Sequence, residues 1–345
     1  MKGAPPGARA WRVIYTSTGL DGRPIEVSGV VIAPDTPAPL AGRNVVAWAH
    51  PTTGVARDCA PSLRAEFFDT IPHLPALVAL DWVVAATDYP GLGTPGTHPY
   101  LVGASEGRAV LDAVRAARGI PEAGAGRRCA VWGHSQGGHA ALFAGQLAGA
   151  YAPELELSGV AAIAPATDLG QLLRDDVGER AGRVIAAYCL WSWSAPGVYG
   201  APLAPAVPAS LVPAIDRVAR DCVETTGEAY VAAWDSLPLP ADMIENGAYD
   251  AAPWKTLLEE NRPGRAPAGA PVYVAQGQED ELVRPSITAD FVADLCRGGA
   301  VVRFDSLPGV GHVRAGAASA TAAIQWMRDR FAGLPVKNGC LAPSL

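Results

Sequence analysis

No stretch of this chain reaches the roughly 18–20 unbroken apolar residues of a membrane-spanning helix. Lys and Arg never gather into a run that would track a phosphate backbone. The net charge of −7 is modest and scattered, so composition argues against nucleic acid as a partner. Charged residues are only 18% of the total against 49% hydrophobic, which argues against disorder and for a compact chain with a sizeable core. The opening MKGAPPGARAW lacks the apolar segment of a secretion signal, which fits an intracellular protein or a chain that begins after a removed leader. There is no internal repeat, and six phenylalanines with three methionines form no evident interfacial patch.

Six cysteines stand at 59, 129, 189, 222, 296 and 340. None forms a C-x-x-C pair or groups with histidines at zinc-site spacing, so a structural metal is not expected. Their even number and wide spacing suit a few disulfides in an oxidising compartment, with Cys296–Cys340 the first pair to test. Cys129 opens the apolar run CAVW and reads as a small buried thiol.

With 345 residues the chain has room for one large α/β domain with an insertion, or for two ordinary domains. Alternating patterns at 11–18 and 26–33, split by a Gly-Leu-Asp-Gly turn, predict an antiparallel start. Short continuous apolar runs then follow at 44–48, 83–87, 129–132, 159–164, 272–275 and 301–304, as expected for strands buried on both faces of a parallel sheet. Helical patterns at 105–118, 138–149, 286–296 and 315–331 lie between or after them. This alternation predicts a mostly parallel central sheet flanked by helices. From 167 to 270 the rhythm breaks into a proline-rich stretch carrying Trp191, Trp193, Trp234 and Trp254. We read it as an inserted helical cap between two parts of one core, 1–166 and 271–345. The alternative is a separate domain. The tryptophans would either line a pocket or fill the cap's own interior.

The strongest chemical signal is Gly133-His-Ser-Gln-Gly137, with an apolar strand before it and a helical pattern after it. A serine on a sharp strand-to-helix turn takes strained backbone angles, and the residues two before and two after it must be tiny. Such a turn exposes the hydroxyl of Ser135 and aims helix N-terminal N–H groups at developing negative charge. This pattern resembles the nucleophile turn of the α/β-hydrolase fold, in which acid and base are expected to follow the serine in that order.

A serine hydroxyl needs a base. His50, His73 and His98 precede the turn, and His134 and His139 flank the serine with side chains expected to point away from it. His312, in the loop Pro-Gly-Val-Gly-His after the last strand pattern, is the remaining candidate. The residue that orients it is read as Asp280, just after the run at 272–275, with Glu279 and Glu281 as register alternatives and Asp168 as a different placement. One oxyanion donor is expected from the Gln136 N–H. The other should come from the loop His-Pro-Thr-Thr-Gly at 50–54, where Pro51 has no N–H, leaving Thr52, then Thr53. Asp88, in the loop Asp-Tyr-Pro-Gly-Leu-Gly, reads as a residue that bonds its own loop's backbone.

The segments VVAWAHPTTGVARDCAPS, TDYPGLGTPGTHPYLVGASEGRAVLDAVR, VWGHSQGGHAALFAG, APATDL, QGQEDELV and GVGHV together resemble the secretory lipase family, typified by fungal lipase A and its bacterial relatives. The resemblance runs from about residue 15 to residue 331 and weakens across 167–270. It implies an α/β-hydrolase core, a helical cap, no cofactor, and hydrolysis or transfer of acyl groups from small-molecule or lipid esters without stable membrane insertion. It also implies that Ser135, Asp280 and His312 form the triad and that Gln136 is the donor at the turn. The Asp-Cys-Ala-Pro segment at 58–61 and the paired late cysteines look like family features that go with secretion. Pro51 departs from the glycine usual in related hydrolases. Amide cleavage or acyl transfer by the same residues, and a non-catalytic binding protein, are the rival readings. The paucity of Phe and Met favours soluble, short-to-medium esters.

Overall fold

The computed structural model describes residues 1, 3–176, 179–204, 207–240 and 250–341. The chain opens with β1 (Ala8–Thr18) and β2 (Pro24–Pro34), an antiparallel pair. Then come β3 (Arg43–Ala49), the short helix α1 (Leu74–Ala79), β4 (Val83–Thr87), α2 (Gly103–Arg118), β5 (Ala125–His134), α3 (Gln136–Tyr151) and β6 (Glu156–Ile163). Among the described residues of the 167–270 stretch come the α-helices α4 (Leu169–Asp176), α5 (Arg180–Ser194), α6 (Val212–Val218), α7 (Thr226–Asp235) and α8 (Trp254–Glu260). β7 (Val272–Gly277), α9 (Pro285–Arg297), β8 (Val302–Leu307) and α10 (His312–Phe331) complete the chain. The eight strands form one sheet in the order β1-β2-β4-β3-β5-β6-β7-β8, antiparallel around β2 and parallel from β4 onward.

The period of two in a strand explains why the central runs are apolar throughout. Val45 and Ala47 of β3 face one core, with α2, α3 and α9, while Val46 and Trp48 face the other, with α1 and α10. Both faces are covered, so both residue sets must be apolar. The run at 301–304 departs from the expectation of burial on both faces. β8 lies at the sheet edge with half-exposed residues alternating along it, and Arg303 pairs with Asp305 there. An edge strand has one strand neighbour: Val302 stays buried, its N–H donating to Asn338 Oδ1 at 3.2 Å, while Phe304 and Ser306 are exposed.

The helices of 167–270 enclose a third core around Leu190, Trp193, Ile215 and Trp254. It is continuous with Tyr100, Leu101 and Val102, from the loop before α2, and with Val283. Trp193 and Trp254 stack within it, 6.0 Å between ring centroids. Trp234 is 73% exposed. Residues 241–249 of the expected cap, and 342–345 of the expected C-terminal part, lie outside the described residues.

Two disulfides are formed. Cys296–Cys340 joins the end of α9 to the C-terminal segment, as expected from the sequence. Cys59–Cys222 spans 163 residues and fastens the segment before α7 to the loop after β3. Cys129 and Cys189 are buried thiols, and burial pushes Cys129 up to about 12. No described helix is long and apolar enough to cross a membrane.

Candidate active site

Ser135 sits between β5 and α3 at φ 57°, ψ −119°, a backbone conformation that costs a non-glycine residue about 1–3 kcal/mol. The surroundings hold it there. A Cβ on Gly133 would strike the Gly137 carbonyl, and one on Gly137 would strike that of Ala49. The Ser135 N–H donates to the Ile163 carbonyl at 2.8 Å, tying the turn to β6.

Three of the residues singled out in the sequence meet. His312 Nε2 is 2.8 Å from the Ser135 hydroxyl oxygen, and His312 Nδ1 is 2.8 Å from Asp280 Oδ2. His312 is the first residue of α10 and Asp280 lies in the loop after β7. The two loops are stitched by Glu279 N–H to the Val310 carbonyl at 3.0 Å and Gln278 N–H to the Leu307 carbonyl at 3.0 Å. Asp280 is buried, whereas Glu279 and Glu281 are exposed. Its other oxygen accepts from the N–H groups of Val283 at 2.7 Å and Leu282 at 3.0 Å, and Gln276 Nε2 donates to Oδ2 at 2.8 Å. Burial alone would raise this carboxyl. The His312 hydrogen bond and charge, with the Val283 and Gln276 bonds, outweigh it and hold the group below the usual carboxylate value.

Asp168 stands apart from this cluster, accepting from the Gln171 N–H at 3.0 Å and pairing with Arg262 at 3.1 Å at the start of α4. His134 donates through Nε2 to the His312 carbonyl at 3.0 Å. Burial first, then the His312 charge, lowers its pKa to about 3, so it stays neutral. His139 packs against Phe143 and donates to the Asn261 carbonyl at 2.8 Å. Both match their expected packing and hydrogen-bonding roles. Asp88 bonds a loop, but not its own. It accepts from the Ser62 N–H at 2.9 Å and from the hydroxyls of Ser62 at 2.5 Å and Ser28 at 2.7 Å. The loop at 57–63 folds back over the end of β4, which sequence proximity could not reveal.

Two cavities open at Ser135. A slot of about 40 Å³ runs between α4 and α5, walled by Leu169, Leu172, Leu173, Ile185 and Cys189. A wider cavity of about 810 Å³ lies on the His312 side, bordered by Arg180, Glu224, Tyr230 and Val313. Thr52, like Ser135, lines both, and its hydroxyl is 2.7 Å from that of Tyr100. Thr53 lines the wider cavity but not the slot, and its carbonyl accepts from the Val223 N–H at 2.9 Å. No tryptophan of the 167–270 stretch lines either cavity, so Trp193 and Trp254 fill the interior of that region instead.

The sequence reading missed three features. Glu106, on α2, is completely buried beneath the turn. The Cys59–Cys222 pairing carried no local signal beyond the Asp-Cys-Ala-Pro segment. Tyr230, Val231, Trp234 and Leu237 stand exposed along and just beyond α7; Tyr230 borders the wider cavity, as does Val313, which is 86% exposed. A count of Phe and Met overlooks such a patch; the i, i+4, i+7 spacing of 230, 234 and 237 was the available sign.

The model of the family described as secretory lipase matches residues 69–189 and 240–339. A curated "probable inactive lipase" of Mycobacterium tuberculosis is 24% identical, covering 97% of this chain and 76% of the relative. A "secreted triacylglycerol lipase" of Malassezia globosa is 27% identical, covering 98% and 74%. Among solved structures, Candida antarctica lipase A in its closed state superposes with a TM-score of 0.79 at 18% identity, over 98% of this chain and 81% of that one. The rice cell wall degrading esterase LipA of Xanthomonas oryzae gives 0.73 at 21%, over 94% and 91%. With the family model matched over more than half of its length, and with this sheet order, the chain belongs to the secretory lipase family and has the α/β-hydrolase fold.

Proposed function

We propose that this protein is a carboxylic ester hydrolase working through an acyl-enzyme on Ser135. The observation that carries the reading is the continuous chain Ser135–His312–Asp280, each link 2.8 Å, at the junction of two cavities. Membership of the secretory lipase family supports it. One relative is named inactive. This chain keeps nucleophile, base and acid in bonding contact, which favours an active enzyme over a binding protein.

In this reading, His312 Nε2 takes the hydroxyl proton as Ser135 attacks the ester carbonyl. Asp280, accepting from Nδ1–H, fixes the tautomer and stabilises the imidazolium. The N–H groups of Gln136 and Thr52 take the oxyanion. Gln136 opens α3, so its N–H has no intrahelical partner. The imidazolium then protonates the leaving alcohol, and the same histidine activates water to release the acid. The chemistry calls for no metal or cofactor. Residues 167–270 would serve as a cap over a core built from 1–166 and 271–345, with its α4–α5 slot taking the acyl chain. The narrowness of that slot favours short-to-medium acyl groups.

A second substrate reading is favoured by the exposed Tyr230 and Val313 at the edge of the wider cavity, with Trp234 exposed on the same helix as Tyr230, which would suit esters presented at an oil–water surface. Disulfides and the secreted relative support an extracellular setting. Turnover of 4-nitrophenyl esters from acetyl to palmitoyl, dissolved and emulsified, tests both readings. Butanoyl-to-octanoyl esters in solution should be preferred, and Ser135→Ala should remove about 10⁵-fold or more of kcat with the fold intact. Undiminished turnover by that variant, or no adduct with a serine-directed phosphonate, would sink the proposal.

A further inference from the structure

Beneath the nucleophile turn lies a group of buried polar side chains that the chemistry above does not use. Glu106 and His139 are 0% exposed, His98 0%, Gln136 1% and Asn261 2%. A carboxyl group in such a place is costly unless its lone pairs are met. Here they are. One oxygen of Glu106 accepts from the Leu101 N–H at 2.9 Å and from Gln136 Nε2 at 2.7 Å. The other faces His139 Nδ1 at 3.2 Å, and because His139 Nε2 donates to the Asn261 carbonyl, this contact holds one further proton between the two groups. The second amide hydrogen of Gln136 points to His98 Nε2 at 3.0 Å. That nitrogen is an acceptor, since His98 Nδ1 donates to the Pro90 carbonyl at 2.9 Å.

The network reaches both sides of the site through residues 98–101. His98 holds Gln136, Tyr100 holds the Thr52 hydroxyl, and Leu101 is held by Glu106. Helix α5 grips the same segment. Ser192 accepts from the Tyr100 N–H at 3.0 Å and donates to the His98 carbonyl at 2.6 Å, and the Trp193 indole N–H donates to the Tyr100 carbonyl at 2.8 Å.

We infer that Glu106 is a positioning residue for acyl transfer: by holding the Gln136 amide and the Leu101 N–H on one oxygen, it keeps both sides of the oxyanion site in register with Ser135. It touches neither substrate nor reacting atoms. The inference rests on the reading of Ser135 as nucleophile and of Gln136 and Thr52 as donors. Both oxyanion donors would therefore be set by residues buried in the core, 30 and 54 positions from Glu106 in sequence.

The test compares Glu106→Leu, Glu106→Gln and Gln136→Met in the full chain, with active sites counted by endpoint titration with a phosphonate ester. Glu106→Leu should lower kcat per titrated site ten- to hundred-fold, a share of the roughly 10²–10³ that losing one oxyanion donor costs. KM should stay within about three-fold, and the inhibition constant of a trifluoromethyl ketone, whose adduct with Ser135 carries an oxyanion, should rise by the same factor as kcat falls. Glu106→Gln keeps an oxygen acceptor in place and should recover most of the loss. Gln136→Met keeps the backbone N–H but cuts the tie, and should resemble Glu106→Leu; it decides the matter if Glu106→Leu does not fold. A lowered Tm with unchanged kcat per site would mean packing alone and would overturn the inference. Equal loss in Glu106→Gln and Glu106→Leu would overturn it too. A wild-type protein that gives neither turnover nor adduct overturns the functional reading as well, whereas a reactive wild type with unaffected variants overturns only this inference.

Discussion

Around Ser135 the sheet and its helices meet through glycine and alanine, whereas the 167–270 region above them is filled by tryptophan and leucine. At the turn, backbone touches backbone: Gly133 against the Gly137 carbonyl, Gly137 against that of Ala49, and Gly277 against that of Val310. In the upper region Trp193, Trp254 and Leu190 enclose the interior, and leucines from α4 wall the slot. Backbone atoms cannot be exchanged for smaller ones, so the first kind of contact admits no variation. Side-chain packing tolerates changes that conserve volume. In the proposed reading, a site assembled this way can alter which acyl chain fits while leaving Ser135, His312 and Asp280 in place.

The sharpest way to press on the rigid half is Asp280→Asn. It should lower kcat about 10⁴-fold, the scale seen when the aspartate of a serine protease triad is changed to asparagine, with little change in Tm. Stopped-flow or long-time ester assays would read it, and a loss under about ten-fold would mean that His312 is oriented by something else.

The seam between the halves comes next. Cys59–Cys222 closes a loop of 163 residues and Cys296–Cys340 one of 44. Chain-entropy arguments make the first worth about 1 kcal/mol more than the second, each on the order of 4–5 kcal/mol before strain is considered. Cys222 also bridges Gly54, and Val223 bonds Thr53, so removing the first bond should lower kcat as well as stability. Removing the second should lower stability alone. Urea midpoints and kcat for the two double-alanine variants would compare them, and equal kcat in both would detach the seam from the site.

In the adaptable half, Leu173→Trp should narrow the slot. The ratio of octanoyl to acetyl ester kcat/KM should fall at least about ten-fold, within the range of hydrophobic pocket discrimination. An unchanged ratio would assign the acyl chain to the larger cavity.

The smallest effect concerns pH. Burial holds His98 down to about 4 and His134 to about 3, and lowers His50. A histidine whose folded pKa lies below its unfolded value of about 6.5 stabilises the fold fully above that value and loses the contribution as pH falls toward the folded one. Each should contribute at most about 1.4 kcal/mol per pH unit. The segment before α7 behaves oppositely. Burial, with nearby Asp235, raises Asp221 to about 6, and burial raises Glu224 to about 7 despite Arg64 beside it. Raised carboxyls oppose folding as pH climbs from their unfolded values through these. Hydrogen-exchange protection factors at pH 5 and pH 8 should therefore fall in acid around 98–101 and fall toward alkaline pH around 221–228. A common trend would erase the distinction.

The rigid half was the more legible from sequence, and for a related reason. Gly133 and Gly137 announce a backbone approach that permits no side chain, and β-strand runs buried on both faces announce themselves by unbroken apolarity. The run at 301–304 was legible as a strand but not as an edge, because VVRF is too short to show the pattern that emerges over Val302–Leu307. Asp280 is favoured in the sequence by its offset from Gly277 and Val283, with Glu279 and Glu281 offering the same chemistry one position away; in the structure Asp280 is the buried one and the one that meets His312. Asn261, His98 and Glu106 left no local trace. Gly103 and Asn261 lie 158 residues apart, yet the Gly103 N–H donates to Asn261 Oδ1 at 2.9 Å.

By itself, then, the sequence determined the parallel sheet, the strained serine turn and the order of residues that follow it, because these are imposed by local backbone geometry and a short hydrophobic period. Only the tertiary structure decided which carboxyl meets His312, which cysteine meets Cys59, where the tryptophans go, and that an apolar rim stands at the cavity mouth. Each of these depends on chain segments far apart in sequence being brought within a few ångströms, and no local pattern encodes such a distance.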